Sequence, residues 1–469
     1  MKLLPCSLHV ASLLLLVGSV AQAEPIDIGN RLEIFADDFL VESISEELTR
    51  KVHEPEPKEV VFTADASWEG NTSGYYTVFR DGDLVKMIYR GWAHQPDKIV
   101  KELHREFTCY AESKDGLIFT KPELGLHEWE GSKANNIILD DDATHNFAAF
   151  KDTNPDCPPE ARYKGIGGEK RNGGLFVYQS PDGIHWKRIT EKPAITDGAF
   201  DSQNIAFWDS HAKVYRAYYR IFSEGGTEGG EWKPKGVRAI RTSTSKDYVN
   251  WEPGTDLSYP EGTPEQHLYT NAVQPYLRAP HLLIGFPTRY LPDEGQRVEP
   301  VFMMSRDGVH FTRYNEPVVP ESAPSDRAGN RSNYMTWGLV ELPGEPGKLT
   351  VYATEAYYGP VPGRVRRFVY RTDGFVSIRA GEEEGVILTK PFRFRGDRLI
   401  LNYATSEGGA VVVERLDAGG KVVSTSKPLS GDEVAAQVEW QSGIPFQESG
   451  EATLRFRLRN ADLYSLRFE

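Results

Sequence analysis

One short pattern returns along this chain at nearly constant spacing, and it limits the fold more than any other feature. It reads Ser113-Lys-Asp115-Gly-Leu-Ile-Phe119, Ser180-Pro-Asp182-Gly-Ile-His-Trp186, Ser245-Lys-Asp247-Tyr-Val-Asn-Trp251 and Ser305-Arg-Asp307-Gly-Val-His-Phe311. A weaker fifth copy is Arg371-Thr-Asp373-Gly-Phe-Val-Ser377. The central aspartates stand 67, 65, 60 and 66 residues apart. A steady period of this length signals repeated units that cannot bury their faces alone. Locally, Asp bonds its own backbone and Gly takes positive φ freely, so each copy predicts a tight turn. The aromatic residue that follows starts the next strand and points back into the unit. Each copy is thus expected to be the hairpin between the last two strands of a propeller blade. All five aspartates are assigned to structure, not to chemistry.

Runs rich in Tyr, Phe, Val and Ile separated by turn residues supply the strands. They fall at residues 75–79, 84–90 and 107–112 (blade one), 146–151, 163–167 and 175–179 (two), and 203–208, 214–221 and 236–242 (three). Blade four takes 271–277, 281–287 and 301–304; blade five takes 334–342, 349–355 and 365–370. Helical periodicity is nearly absent. The pattern predicts an all-β protein, a five-bladed β-propeller. After residue 381 the repeat stops, and alternating runs at 398–402, 410–414, 434–440, 452–458 and 463–468 predict a small C-terminal β-sandwich. The expected division is 24–381 for the propeller and 382–469 for an accessory sandwich.

The first 23 residues read as a secretory signal peptide: Lys2, an apolar run, then Ala21-Gln22-Ala23 before Glu24. A secreted or periplasmic location follows. No other apolar run is long enough to span a bilayer. The cleaved chain keeps Cys109 and Cys157, and nothing in the sequence requires them to pair. The formal net charge of −14 without a basic run argues against nucleic acid and anionic membrane surfaces as partners. A local basic cleft would still admit a sulfated glycan.

The repeated S-x-D-x-x-x-W turn resembles that of the five-bladed propeller glycoside hydrolases, families 32, 43, 68 and their relatives. The chain as a whole is similar to secreted bacterial proteins called glycosyl hydrolase family 32-like. The matching features are Phe35-Ala-Asp-Asp-Phe-Leu40, Trp68-Glu-Gly70, His145-Asn-Phe147, Phe200-Asp-Ser-Gln-Asn204, His267-Leu-Tyr-Thr-Asn271, Arg278-Ala-Pro280 and Ala461-Asp-Leu-Tyr464. The W-M-N-D-P-N-G, R-D-P and E-C motifs of true family 32 are missing, so no fructan-cleaving nucleophile is carried over. The resemblance implies a glycoside hydrolase acting on a plant or algal poly- or oligosaccharide. The alternative is a non-catalytic propeller that binds glycan or protein at the cell surface.

In a propeller the innermost strands line an axial funnel, and the loops entering them form its mouth. Those entries offer Asp65, Trp68, Glu69 and Asn71; Asp142, His145 and Asn146; and Asp201, Gln203 and Asn204. Blade four adds Glu265, His267, Tyr269 and Asn271, and blade five adds Arg331, Asn333 and Tyr334. A sugar pocket needs polar groups for hydroxyls, aromatics for ring faces and carboxylates for chemistry. Glycoside hydrolysis takes two carboxyl groups. Asp201 leads; by the resemblance it stands where these hydrolases keep a transition-state-stabilising Asp. Glu69 or Asp65 is expected as base or nucleophile, with Glu265 or Glu355 as proton donor. Trp68, Asn71, His145, Asn146, Gln203, Asn204, His267, Tyr269, Asn271 and Tyr334 are the expected sugar contacts. Arg278, Arg289 and Arg331 suggest a cationic wall for a uronate or sulfate. No metal-ligand spacing is present and no cofactor is required, although these propellers sometimes hold a structural Ca2+. The oligomeric state is open.

Overall fold

The computed structural model describes residues 24–469 except 96–97, 229–230, 321–332 and 444–445. The expected signal peptide and Arg331 lie outside the described residues. Five sheets form the blades of a propeller, as expected. Blade one runs outward as Gly74–Asp81, Leu84–Gly91, Phe107–Ser113 and Ile137–Leu139. Blade two is Ala148–Lys151, Tyr163–Gly167, Phe176–Ser180 and Lys187–Arg188, and blade three is Ile205–Asp209, Val214–Phe222, Arg238–Ser245 and Thr255–Asp256. Blade four is built on Gln274–Tyr276, Ala279–Gly285, Arg297–Ser305 and Phe311–Pro317, with Thr288–Leu291 continuing its rim.

Blade five departs from expectation. Its regular strands are Lys348–Glu355 and Arg364–Arg371, and the next strand is Glu56–Thr63, supplied by the chain's beginning. The inner run expected at 334–342 is reduced to single bridges from Met335 to Ala353 and from Val340 to Thr350. Gly338 interrupts it at φ +135, where a Cβ would run into the Val78 carbonyl. Blades one and five are sewn together there by a parallel bridge from Thr77 to Trp337.

Four of the repeated turns share one geometry. In each, the Asp Oδ1 accepts two backbone N–H groups, such as those of Ile184 and His185 at Asp182 (both 2.9 Å). The Ser hydroxyl donates to the same carboxylate (3.0 Å at Asp182). Asp115, Asp247 and Asp307 repeat the arrangement. The third turn has Tyr248 at φ +68 where the others have Gly; its buried ring packs on Tyr215, Trp251 and Phe150.

The fifth copy does not make this turn. Asp373 is buried at φ +58, bound by the Tyr276 hydroxyl, Arg278 (3.0 Å) and Ser465 (3.3 Å). The next strand, Val376–Ala380, leaves the propeller and pairs with Leu48–Val52 and Ser449–Phe468. The copy lacks the Ser that orients the others, and its Asp anchors the second body instead.

That second body is the expected C-terminal β-sandwich, one curled sheet around Leu399–Leu416 and Ser449–Phe468. Leu454, Phe456 and Leu458 face its core while Arg455 and Arg457 face out to Glu414 and Glu384, the period-2 signature of a half-buried sheet. The N-terminal strands Ile26–Gly29, Glu33–Ile34, Val41–Ile44 and Leu48–Val52, counted with the propeller in the sequence, pair into this sheet. Arg306 of blade four clamps Glu33 (2.7 Å) and Asp37 (2.6 Å) across the junction. Among the described residues no helix is long and apolar enough to cross a membrane. Cys109 and Cys157 are both free.

Candidate active site

In a blade the first strand leaves the mouth of the funnel and the second returns to it, so two sets of strand ends meet at one rim. All five blades converge there on Asp201. Its side chain is 60% exposed and lies 3.1 Å from His145 Nε2 and 3.6 Å from an Arg220 guanidinium nitrogen. Burial opposes ionisation of Asp201, but the His145 hydrogen bond and the Arg220 charge win and hold its pKa at about 2.

His145 is 8% exposed and caught between acids: Nδ1 donates to Glu106 (2.7 Å) and Nε2 to Asp201. Burial pushes its pKa down, yet these two hydrogen bonds raise it overall, so the two acids favour the imidazolium form. Glu106 is held below the ordinary carboxylate range; burial raises it, and His145, then Arg90, outweigh that. A third carboxyl, Glu169, stands 3.8 Å from the same Nε2. Its pKa is raised. Burial is the largest cause, and the charges of Glu106 and Asp201 add to it against His145 and Arg171. Asp201 and Glu169 therefore share one imidazolium nitrogen, and their ionisation is driven apart.

The wall is tyrosine. Tyr75, Tyr269, Tyr334 and Tyr358 all have raised pKa values, first through burial and then partly through the Asp201 charge, which places them around that carboxylate. Ring contacts run from Tyr269 to Tyr334 (5.9 Å), to Tyr357 (5.5 Å) and to Tyr358 (4.5 Å). Arg90 is buried beneath them, donating to Tyr357 Oη (2.7 Å) and Thr72 O (3.0 Å) and stacked between Tyr75 and Trp92. Tyr75 at φ +53 and Tyr358 at φ +59 occupy left-handed backbone, which strains a non-glycine residue. Among the described residues, Arg90, Arg171, Arg220, Arg238 and His145 stand with three acids, Asp201, Glu106 and Glu169, at this mouth.

Of the expected residues, Asp201, His145, Tyr269 and Tyr334 come together here. The expected amides bond backbone carbonyls. Asn146 binds Gly168 O (2.9 Å) and Phe200 O (2.5 Å), Gln203 binds Tyr75 O and Tyr76 O (both 3.1 Å), and Asn204 binds Phe200 O and Ser202 O. Asn271 reaches Tyr218 O (3.3 Å), and Asn333 reaches Val319 O. Buried amides must be satisfied, and these are spent stitching blade entries together. Asn71 holds the tyrosine loop, binding Gly359 O (2.9 Å) while its own carbonyl accepts from Tyr358 N (2.8 Å).

The other expected carboxylates are placed elsewhere. Glu69 is enclosed, taking the Tyr89 hydroxyl, Lys121 (2.6 Å) and Ala66 N (3.0 Å). Asp65 pairs with the same Lys121 (2.8 Å), which lowers its pKa. Glu355 is buried under Arg364 (3.1 Å) and Arg366 (3.0 Å). Glu265 is exposed, and Asp142 pairs with Arg188 (3.3 Å). Trp68 donates to Asn136 (2.7 Å), and His267 Nδ1 accepts from Arg238 N (3.0 Å). Of the expected cationic wall, Arg289 is taken by Glu299 and Arg278 by Asp373.

Missed in the sequence were Arg90, Glu106, Glu169, Arg220, Arg238, Tyr357 and Tyr358. Attention fell on the strand entries, whereas Arg90, Glu169, Arg220 and Tyr357 sit where second strands end or have just ended. A count of polar residues at both ends of each hairpin would have found them.

No family model matches the sequence, and no curated protein matches it. Among solved structures the chain is similar to a glycoside hydrolase at 14% identity, covering 68% of this chain and 92% of that one with a TM-score of 0.46. It is also similar to a family 43 arabinoxylan arabinofuranohydrolase from Bacillus subtilis (12% identity, 87% and 97% covered, TM-score 0.41). A family 32 β-fructofuranosidase from Bombyx mori is similar at 9% identity (89% and 94% covered, TM-score 0.40). Likeness at this level says nothing about substrate, so the chemistry rests on the mouth's own geometry.

Proposed function

We propose that the protein is a secreted glycoside hydrolase acting on a plant or algal poly- or oligosaccharide, with the funnel mouth as its active site. One observation carries the reading: two carboxyls on one imidazolium nitrogen, the first held ionised at about 2 and the second pushed upward. Carboxyls whose environments separate their ionisation are how one site runs acid and base chemistry together. Glu169 donates the proton to the departing glycosidic oxygen. Asp201, ionised and open to the funnel, faces the positive charge that develops at the anomeric carbon and takes the proton of the water that adds there as the glycosidic oxygen leaves. His145 positions Asp201 and keeps it ionised, while Glu106 and Arg90 fix the ring. The tyrosines supply flat faces for the sugar.

The test is sugar release from polysaccharides and aryl glycosides by wild type, Asp201→Asn and Glu169→Gln, with folding followed by thermal melting. Loss of release in both folded variants is the expected result. Glycan binding without release by wild type from any substrate would overturn the hydrolase in favour of a binding propeller.

A further inference from the structure

Arg220 and Arg238 stand side by side on blade three, stacked on the same two rings. The Arg220 guanidinium carbon lies 5.5 Å from the Phe222 centroid and 5.2 Å from that of Tyr269; for Arg238 the distances are 5.4 and 5.0 Å. Tyr290 covers Arg238 from another direction at 5.0 Å. Two like charges on shared rings repel, and Arg220 has an acid beside it, Asp201 at 3.6 Å. Among the described residues no carboxylate lies within 4.0 Å of Arg238, and its Nε is buried without a hydrogen-bond acceptor. Arg238 is half-buried, whereas most buried arginines of the blades have their acid: Arg216 has Asp209 (3.1 Å), and Arg367 has Glu59 (2.8 Å). A guanidinium without an acid beside it is stabilised by an incoming anion. The planar edge of a guanidinium fits a bidentate oxyanion.

Resting on the glycosidase reading above, we propose that Arg238, with Arg220 beside it, binds an oxyanion carried by the sugar, so that the substrate is an acidic oligosaccharide. The group is a uronate carboxylate or a sulfate ester. Arg220 lies between this subsite and Asp201, so it ties recognition of the anion to the position of the reacting sugar. The cluster of cations at the mouth of an acidic protein then has a purpose.

The experiment compares matched ligands by calorimetry on Glu169→Gln: a uronate oligosaccharide against its carboxyl-reduced form, and a sulfated one against its desulfated form. One of the two pairs is expected to favour the anion by about 100-fold, the scale of a charged bidentate contact. That preference should fall to near unity in Arg238→Gln and to an intermediate value in Arg238→Lys. Equal binding of anionic and neutral members in both pairs overturns the proposal, as does a preference that survives both Arg238 substitutions. Hydrolysis by wild type is read separately. An anion preference without hydrolysis of any glycan keeps the subsite and removes the hydrolase; hydrolysis without anion preference does the reverse.

Discussion

Asp182 on the outer turn and Asp201 at the funnel mouth have the same ionisation, each held at about 2, for different reasons. For both, burial works against the charge. At Asp182 backbone N–H groups of a turn overcome it first, helped by the exposed His185 ring at 2.7 Å. At Asp201 the donor is an imidazolium, itself fixed by a second acid, and one side of the carboxylate is left open. A depressed carboxyl therefore does not mark a site. A buried donor held by a second acid, and the room beside the carboxylate, does.

Substitution should separate the two. Asp201→Asn is expected to cost about 10³-fold in kcat with little change in melting, whereas Asp182→Asn should leave kcat alone. Equal losses at both positions would dissolve the distinction. Next in size is Glu169→Gln, with a loss of about 10²-fold that shrinks on aryl glycosides with good leaving groups, which need no proton. Because the proton donor must be protonated, wild-type activity should fall as pH rises through the elevated Glu169 pKa, and Glu169→Gln should lose that limb.

His145→Gln sharpens the comparison more quietly. Without the imidazolium, Asp201 should titrate closer to its ordinary value of 3.8, moving the acid limb of activity upward. His145 also contributes stability because its pKa is raised on folding. That contribution is full below the unfolded value of 6.5 and is lost as pH rises through the folded one. Denaturant melts of wild type and His145→Gln should therefore differ most in acid and converge in alkali. The smallest expected effect is the stability cost of Asp182→Asn, about 1 kcal/mol for weakened turn hydrogen bonds, read from the denaturation midpoint.

The blades were legible because a turn is a local event. Ser, Asp and the aromatic lie within seven residues, so their geometry is written where it occurs. Asp373 shows the limit of that legibility, since its fate depends on Tyr276 and Ser465, which are remote in sequence. At the mouth, Asp201 and His145 could be read from their place before inner strands. Whether a buried Asn or Glu meets substrate or a backbone carbonyl could not, since both uses require the same residue at the same position. Asn146 and Glu69 look as functional in sequence as His145 does, and only their packing tells them apart.

The strand Glu56–Thr63 completes blade five by bonding to partners such as Arg366 and Arg367, 308 residues away from Lys58 and Glu59. A ribosome delivers that strand early and its partner late, so most of the chain is synthesised before the ring can shut. Contacts this distant slow folding, and an edge that waits unpaired is open to wrong partners. Residues 26–52 wait longer still, for the sheet built by 376–468. Once both are seated, the chain's opening segment is threaded through two bodies and its closing segment completes the second. Neither residues 26–63 nor residues 449–468 can leave without pulling a strand out of a finished sheet, which slows release of the fold.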